Sequence, residues 1–131
     1  MDDLSDPFCP RYHHAVELIG RRWSGAVLRA LLFGRTGYSE LRDTVPGLSD
    51  TMLATRLREL EHEGIVERTV DHGPPTRTHY LLTPKGRSLE AVICALSDWA
   101  ETWIPLDEEH RARGSAGAAQ DPAGTNPSLT R

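Results

Sequence analysis

Small hydroxyls and arginines alternate with leucines along the segment Ser49–Arg58. At 100° per residue, Thr51, Thr55 and Arg58 fall on one side of a helix, opposite the leucines of the same segment. Hydroxyl groups hydrogen-bond to phosphates and base edges, and an arginine can bind guanine through two parallel hydrogen bonds. The pattern fits a helix that enters the major groove of DNA, although a solvated face that binds nothing has a similar composition. The candidate DNA contacts are Ser49, Thr51, Thr55, Arg56 and Arg58.

A second reactive group is the thiol of Cys9, which precedes Pro10 at a predicted helix start. A helix N-terminus and the nearby Arg11 both stabilise a thiolate, so Cys9 is a candidate redox-sensing residue. The alternative is a cysteine that packs as a small apolar group, which is how we interpret Cys94. The wide separation of the two cysteines and the lack of an export signal argue against a structural disulfide.

Metal-binding and catalytic patterns are weak in this sequence. His13 shares a helix face with Cys9, and His14 adjoins it, but two ligands do not make a metal site. The motifs of a nucleophile elbow, a phosphate loop, a zinc protease and a dinucleotide site do not occur. We therefore predict a protein that is not an enzyme and has neither a metal nor another cofactor.

Composition limits the other possibilities. The chain has 131 residues, 38% of them hydrophobic and 26% charged, which is typical of one soluble globular domain. The acidic first residues and the lack of a long apolar run predict a cytoplasmic protein that does not associate with membranes. The net charge is −4, but the segment between Arg11 and Arg87 holds 12 Lys/Arg against 9 Asp/Glu. A locally basic surface is compatible with nucleic acid.

Capping residues and apolar periodicity predict the elements that carry these groups. Helices are expected from Pro10 to Gly20, after a Ser24 cap, after a Ser39 cap, and from a Ser49 cap to Gly64. Two β-rich runs, 65–70 and 78–82, flank a loop that contains Gly-Pro-Pro, and Thr83-Pro84 begins a last helix that reaches Trp103. The predicted fold class is mainly α with a small β-hairpin (α+β).

The order of these elements is that of a winged helix-turn-helix. A short helix, the turn 46–48 and a longer helix form the helix-turn-helix, and the hairpin that follows forms the wing. Ser39 on the first of these helices and Arg77 beside the wing loop are candidate phosphate contacts. We predict an N-terminal arm at 1–9, a winged helix-turn-helix domain at 10–104 and a disordered tail at 105–131, because the tail has little apolar content.

Large apolar side chains recur every three or four residues through the last helix, 84–104. Such a stripe needs a partner surface, and pairing with a second copy of the chain would bury it, although packing on the first helix is the alternative. The predicted dimer interface consists of Leu89, Val92, Ile93, Leu96, Trp99 and Trp103. A small-molecule pocket near Tyr12 and Trp23 is a further hypothesis, against the alternative that these aromatic residues belong to the core.

An ordered set of motifs runs from Phe8 to Trp103: Cys-Pro, AVELIGRRW, YSELR, GLSDTMLATRLRELEHEGIVER, PPTRTHY and LTPKGRSL. This set resembles the HxlR family of bacterial transcriptional regulators, which are related to MarR-type winged helices. The resemblance implies a homodimeric DNA-binding regulator whose terminal helices form the dimer interface. It also implies that Cys9 occupies the position at which some members sense quinones or disulfide stress.

The sequence thus predicts a transcriptional regulator that binds an inverted repeat in double-stranded DNA as a homodimer. Oxidation of Cys9 and a small-molecule effector are the candidate signals. The alternative is a winged helix that assembles with other proteins and binds no specific DNA. In that case Arg56, Arg58 and Arg77 would face inward or pair with the glutamates at 59, 61 and 63.

Overall fold

The computed structural model describes Leu4 and residues 6–106. These residues form six helices and one β-hairpin, which confirms the predicted fold class. None of the helices in this part of the chain has the length and apolar character needed to cross a membrane. In chain order the elements are α1 (Pro10–Gly20), α2 (Ser24–Leu32), α3 (Tyr38–Thr44), α4 (Asp50–His62), β1 (Val66–Asp71), β2 (Arg77–Leu82), α5 (Pro84–Arg87) and α6 (Glu90–Trp103).

The core lies between α2, α3 and α4. Leu53, Leu57 and Leu60 of α4 recur at 3 and 4 spacing and are fully buried, together with Leu28 of α2 and Leu41 of α3. Truncating a leucine in such a position to alanine costs about 2–5 kcal/mol, so these contacts fix the rotation of α4 about its axis. The opposite side of α4 is consequently turned away from the core.

The hairpin is antiparallel, with a register that runs from Val66 opposite Leu82 to Asp71 opposite Arg77. Val66 and Tyr80 are buried, and the Tyr80 amide donates to the carbonyl of Thr36 at 2.8 Å. This hydrogen bond attaches the hairpin to the segment just before α3. The wing therefore has a fixed position beside the helix-turn-helix.

Two predicted caps are confirmed and two are wrong. The Ser49 hydroxyl accepts from the Met52 amide at 3.1 Å, and the Thr83 hydroxyl accepts from the Gly86 amide at 3.1 Å. Ser24 is instead a buried first residue of α2, whose N-cap is Trp23 in the left-handed region, with φ 79°. Ser39 lies inside α3, whose N-cap is Gly37. The side chain of Glu40 accepts from the Gly37 amide, so the helix begins at Tyr38, before Ser39.

The last predicted helix is divided into α5 and α6. Gly86 of α5 packs against the main chain just before β1, because a Cβ at this position would overlap the carbonyl oxygen of Ile65. This close approach turns the chain before α6 begins at Glu90. The tail predicted at 105–131 lies outside the described residues from 107 onwards.

Candidate nucleic-acid interface

The turn between α3 and α4 sets the direction of α4. Gly47 has φ 85°, a conformation that favours glycine, and a Cβ there would stand 3.3 Å from the indole ring of Trp23. Leu48 is buried and its amide donates to the Val45 carbonyl at 3.3 Å. A tight, packed turn thus presents the capped N-terminus of α4 at the surface, starting with the exposed Ser49.

Three predicted DNA contacts form one polar row on the outer side of α4. Thr51 and Arg58 are exposed and Thr55 is half-buried. The Thr55 hydroxyl donates to the Thr51 carbonyl at 2.9 Å, and Nη2 of Arg58 donates to the Thr55 hydroxyl at 3.4 Å. Within the described residues, no carboxylate lies within ion-pair distance of Arg58. Its guanidinium is consequently open to an anionic partner.

Arg56 does not belong to this row, which corrects the sequence-based assignment. Its Nε donates to the Arg22 carbonyl at 2.7 Å, and its Nη1 pairs with Glu59 Oε1 at 3.0 Å. The side chain is only 14% exposed. Two residues along a helix correspond to a rotation of about 200°, so Arg56 and Arg58 point to different sides. Arg56 joins α4 to the turn between α1 and α2.

The two candidate phosphate contacts outside α4 are both exposed. Ser39 lies in the first turn of α3, and Arg77 is the first residue of β2, where it pairs across the hairpin with Asp71. Arg77 therefore stands at the end of the hairpin that carries the loop 72–76. Ser39 thus precedes α4 in the chain and Arg77 follows it.

A polar cluster at the start of α4 was not found from the sequence. Tyr38 donates from its hydroxyl to the Asp50 carbonyl at 2.9 Å, and Arg42 Nη1 lies 3.2 Å from Asp50 Oδ1. Burial, followed by the charge of Asp50, raises the pKa of Tyr38. The hydrogen bond to Asp50 raises the pKa of Arg42, which stays protonated. Arg42 and Asp50 stand eight positions apart on different helices, so no periodic pattern connects them.

The predicted dimer set divides into two groups. Ile93 is 4% exposed and belongs to the core of its own chain, and Leu89 packs against that core. Ile93 is thus wrongly placed in the interface, since one side of α6 faces the domain. The other side is open, with large apolar residues that are 49–69% exposed. These are Val92, Leu96, Trp99 and Trp103.

Tyr12 and Trp23, the residues of the predicted pocket, lie in different surroundings within one protomer. Tyr12 is exposed, and Trp23 is covered by Gly47 and by the Arg22 guanidinium, whose centre is 5.1 Å from the ring centroid. A cleft of about 680 Å³ lies between α1 and α4. It is lined by Pro10, His13, His14, Glu17, Leu18, Arg21, Thr55, Arg58, Glu59, His62 and Glu63. Among the described residues, no group of three or more His, Cys, Asp or Glu side chains could hold a metal ion.

Cys9 is an exposed free thiol and the N-cap residue of α1. Its Sγ accepts from the Tyr12 amide at 3.5 Å, and the ring centroids of Phe8 and His13 lie 5.5 Å apart. The alternative of a buried Cys9 is therefore wrong. Cys94 is free and half-buried on α6, as its interpretation as a packing residue requires.

A short helix, a tight turn, a longer helix with a polar outer face and a β-hairpin wing together define a winged helix-turn-helix protein. The sequence model of the HxlR-like helix-turn-helix family matches residues 18–108. The chain belongs to this family of transcriptional regulators.

The chain is similar to named regulators and to solved structures. The chain is 41% identical to the HTH-type transcriptional regulator YvaP of Bacillus subtilis over 96 residues, 73% of this chain and 89% of YvaP. The reduced form of the transcriptional regulator YodB from B. subtilis has a TM-score of 0.66 at 40% identity, covering 76% of this chain and 99% of YodB. YodB has also been solved after diamide treatment and with bound quinone. The oxidised form of the redox regulator HypR has a TM-score of 0.69 at 34% identity, covering 75% of this chain and all of HypR.

Proposed function

We propose that two copies of this chain bind an inverted-repeat operator and regulate transcription in the bacterial cytoplasm. The observation that carries this proposal is the outer face of α4, where Thr51, Thr55 and Arg58 form one polar row. Burial of the α4 leucines fixes this face away from the core. Ser49 to Arg58 enter the major groove, where Arg58 reads a base edge.

Two flanking groups hold the DNA backbone. Ser39 contacts a phosphate from α3, and Arg77 contacts a phosphate or the minor groove from the wing. Both side chains are exposed, and one precedes α4 in the chain while the other follows it. Contacts of this kind set the register of the protein on the duplex and contribute little sequence preference.

A second copy covers the open side of α6. Val92, Leu96, Trp99 and Trp103 leave more apolar surface exposed than a small soluble domain usually tolerates. A two-fold pairing of residues 84–104 would bury these side chains, with residues 10–104 as the domain of each protomer. The two half-sites of the operator would then lie about 10 bp, or a multiple of it, apart.

Cys9 is the residue proposed to sense the signal. It is exposed, it caps the helix α1, and YodB and HypR, which share this fold, are known in treated or oxidised forms. Oxidation of its thiol adds a polar group, or a crosslink to a second thiol, at the N-cap of α1. A small-molecule effector is the second candidate, and the cleft between α1 and α4 is its proposed place instead of Tyr12 and Trp23.

A mobility-shift assay on the promoter region beside the gene for this chain tests the proposal. At fixed moderate salt we expect a specific complex with the reduced protein and none after diamide treatment. The C9S variant should bind under both conditions, whereas the matched C94S variant should respond as the wild type does. R58A should weaken specific binding about 5- to 150-fold.

Other outcomes redirect the assignment. Specific binding that ignores oxidation would exclude Cys9 as the signal and favour an effector in the cleft. A complete lack of specific binding would favour the assembly module, for which the inward contacts of Arg56 with Glu59 are the one supporting observation.

A further inference from the structure

The start of α4 carries a negative charge at the point where the proposed complex approaches DNA. Asp50 is the first residue of α4 and lies between Ser49 and Thr51, which are both proposed contacts. A carboxylate stabilises a helix N-terminus through the helix dipole, but it repels the phosphates beside the groove. The DNA face of this chain therefore needs a compensating cation close to Asp50.

Arg42 of α3 is that cation. Its Nη1 lies 3.2 Å from Asp50 Oδ1, and its Nε lies 3.5 Å from Asp43 Oδ1, on the same helix as Arg42. The guanidinium carries five donors, and these contacts use the Nη1 and Nε groups, so the two donors of Nη2 are additional. The side chain is 39% exposed, which leaves it in reach of a ligand outside the protein.

The position of the cluster is fixed from both helices. Tyr38, one turn before Arg42 on α3, donates to the main-chain carbonyl of Asp50 at 2.9 Å. Asp50 is thus held through its backbone by Tyr38 and through its carboxylate by Arg42. The result is a cation oriented at the junction of α3 and α4, beside the end of α4 that leads into the groove.

We propose that Arg42 binds a DNA phosphate that flanks the major groove, and that Asp50 is the positioning residue that orients its guanidinium. This inference rests on the proposed function and adds a backbone contact to it. Arg42 exchanges part of its interaction with Asp50 for the phosphate when DNA binds. Asp50 competes with the phosphate for the Arg42 guanidinium and so lowers its affinity for DNA, but it also fixes the position at which Arg42 meets the phosphate.

The salt dependence of DNA binding measures this contact. Each neutralised phosphate contributes about 0.9 to the slope of log K against log salt, so the loss of one contact per protomer lowers the slope of a dimer by about 1.8. The R42Q variant should weaken binding to the operator duplex and to a scrambled duplex of the same length alike. The ratio of wild-type affinity to R42Q affinity should fall about twelvefold between about 50 and 200 mM salt.

Three further variants separate the contact from a structural role. R42K keeps the charge and should retain the wild-type slope. R87Q removes an exposed arginine of α5, at the hairpin end opposite the wing loop, and should also retain it. D50N releases the cation and removes the repulsion, so it should raise the affinity for both duplexes. If R42Q does not fold, the affinity of D50N and the salt slope of R42K test the inference.

Fluorescence anisotropy titrations with labelled duplexes, together with thermal unfolding of each variant, give the readouts. A wild-type slope in R42Q, with a lowered Tm, would mean that the Arg42–Asp50 pair only stabilises the packing of α3 on α4, and it would overturn the inference. Weaker binding of D50N to the operator alone would make Asp50 a base-reading residue and overturn its positioning role. Lack of binding by the wild type to either duplex would instead be a failure of the proposed function.

Discussion

Replacing Arg56 by alanine tests whether the two arginines of α4 have different roles. The change removes the 2.7 Å hydrogen bond to the Arg22 carbonyl and the 3.0 Å pair with Glu59, from a side chain that is 14% exposed. A hydrogen bond that involves a charged group contributes about 1.5–3 kcal/mol, and Glu59 keeps a second partner, Arg21, at 2.9 Å. We expect R56A to lower the free energy of unfolding by about 2–3 kcal/mol.

Thermal unfolding followed by circular dichroism measures this loss. One kcal/mol corresponds to about 4–8 °C for a domain of this size, so the Tm of R56A should fall by roughly 8–24 °C. R58A is the matched control, since Arg58 is exposed and its loss should change stability by no more than about 0.5 kcal/mol. Well below its Tm, R56A should bind DNA with nearly wild-type affinity, whereas R58A should not.

The opposite pattern would refute this reasoning. If R56A unfolded at the wild-type temperature and lost DNA affinity as R58A does, Arg56 would be a DNA contact. Its hydrogen bonds within the chain would then not hold it away from the outer face of α4.

Further predictions concern packing, assembly and pH. G86A should lower the Tm in thermal unfolding, because its Cβ meets the Ile65 carbonyl. W99A combined with W103A should convert a dimer to a monomer in analytical ultracentrifugation, since both side chains are exposed on one protomer. Burial raises the pKa of Tyr80, so the neutral phenol favours the folded state. Stability should therefore fall as pH rises above about 10, and Y80F should lessen that fall in urea titrations at several pH values.

The elements of the fold were predictable because their signals are local. Pro10, Ser49 and Thr83-Pro84 begin helices through their own chemistry, and apolar spacing identifies the buried side of α4. Ser24 and Ser39 have the same chemistry but do not cap. In both cases a residue before the serine already starts the helix, namely Trp23 in the left-handed region and Gly37 with its Glu40 partner.

The candidate site was predictable only in part, because side-chain partners depend on tertiary contacts. Arg56 and Arg58 are of the same type and differ in role only because the Arg22 carbonyl lies on one side of α4. Apolar spacing alone could not separate Ile93 from Trp99, since a domain core and a dimer interface select the same residue types. The Arg42–Asp50 pair crosses a turn, so it required the geometry of both helices.

The helix α1 explains how an event at Cys9 could reach α4 without unfolding the core. None of the residues of α1 is buried, and its apolar anchors Leu18 and Ile19 are only partly covered. The turn after α1 is tied to α4 by Arg56, whose Nε donates to the Arg22 carbonyl at 2.7 Å. Two further polar contacts join α1 and its C-cap to α4: His14 Nε2 to Glu63 Oε2 at 3.0 Å, and Arg21 Nη1 to Glu59 Oε2 at 2.9 Å. Exposed pairs of this kind contribute about 0.2–1 kcal/mol each. A displacement of α1 therefore costs less than the leucine packing that holds α4, even if it breaks the Arg56 contact, so a movement of α1 can reach the outer face of α4 while the fold stays intact.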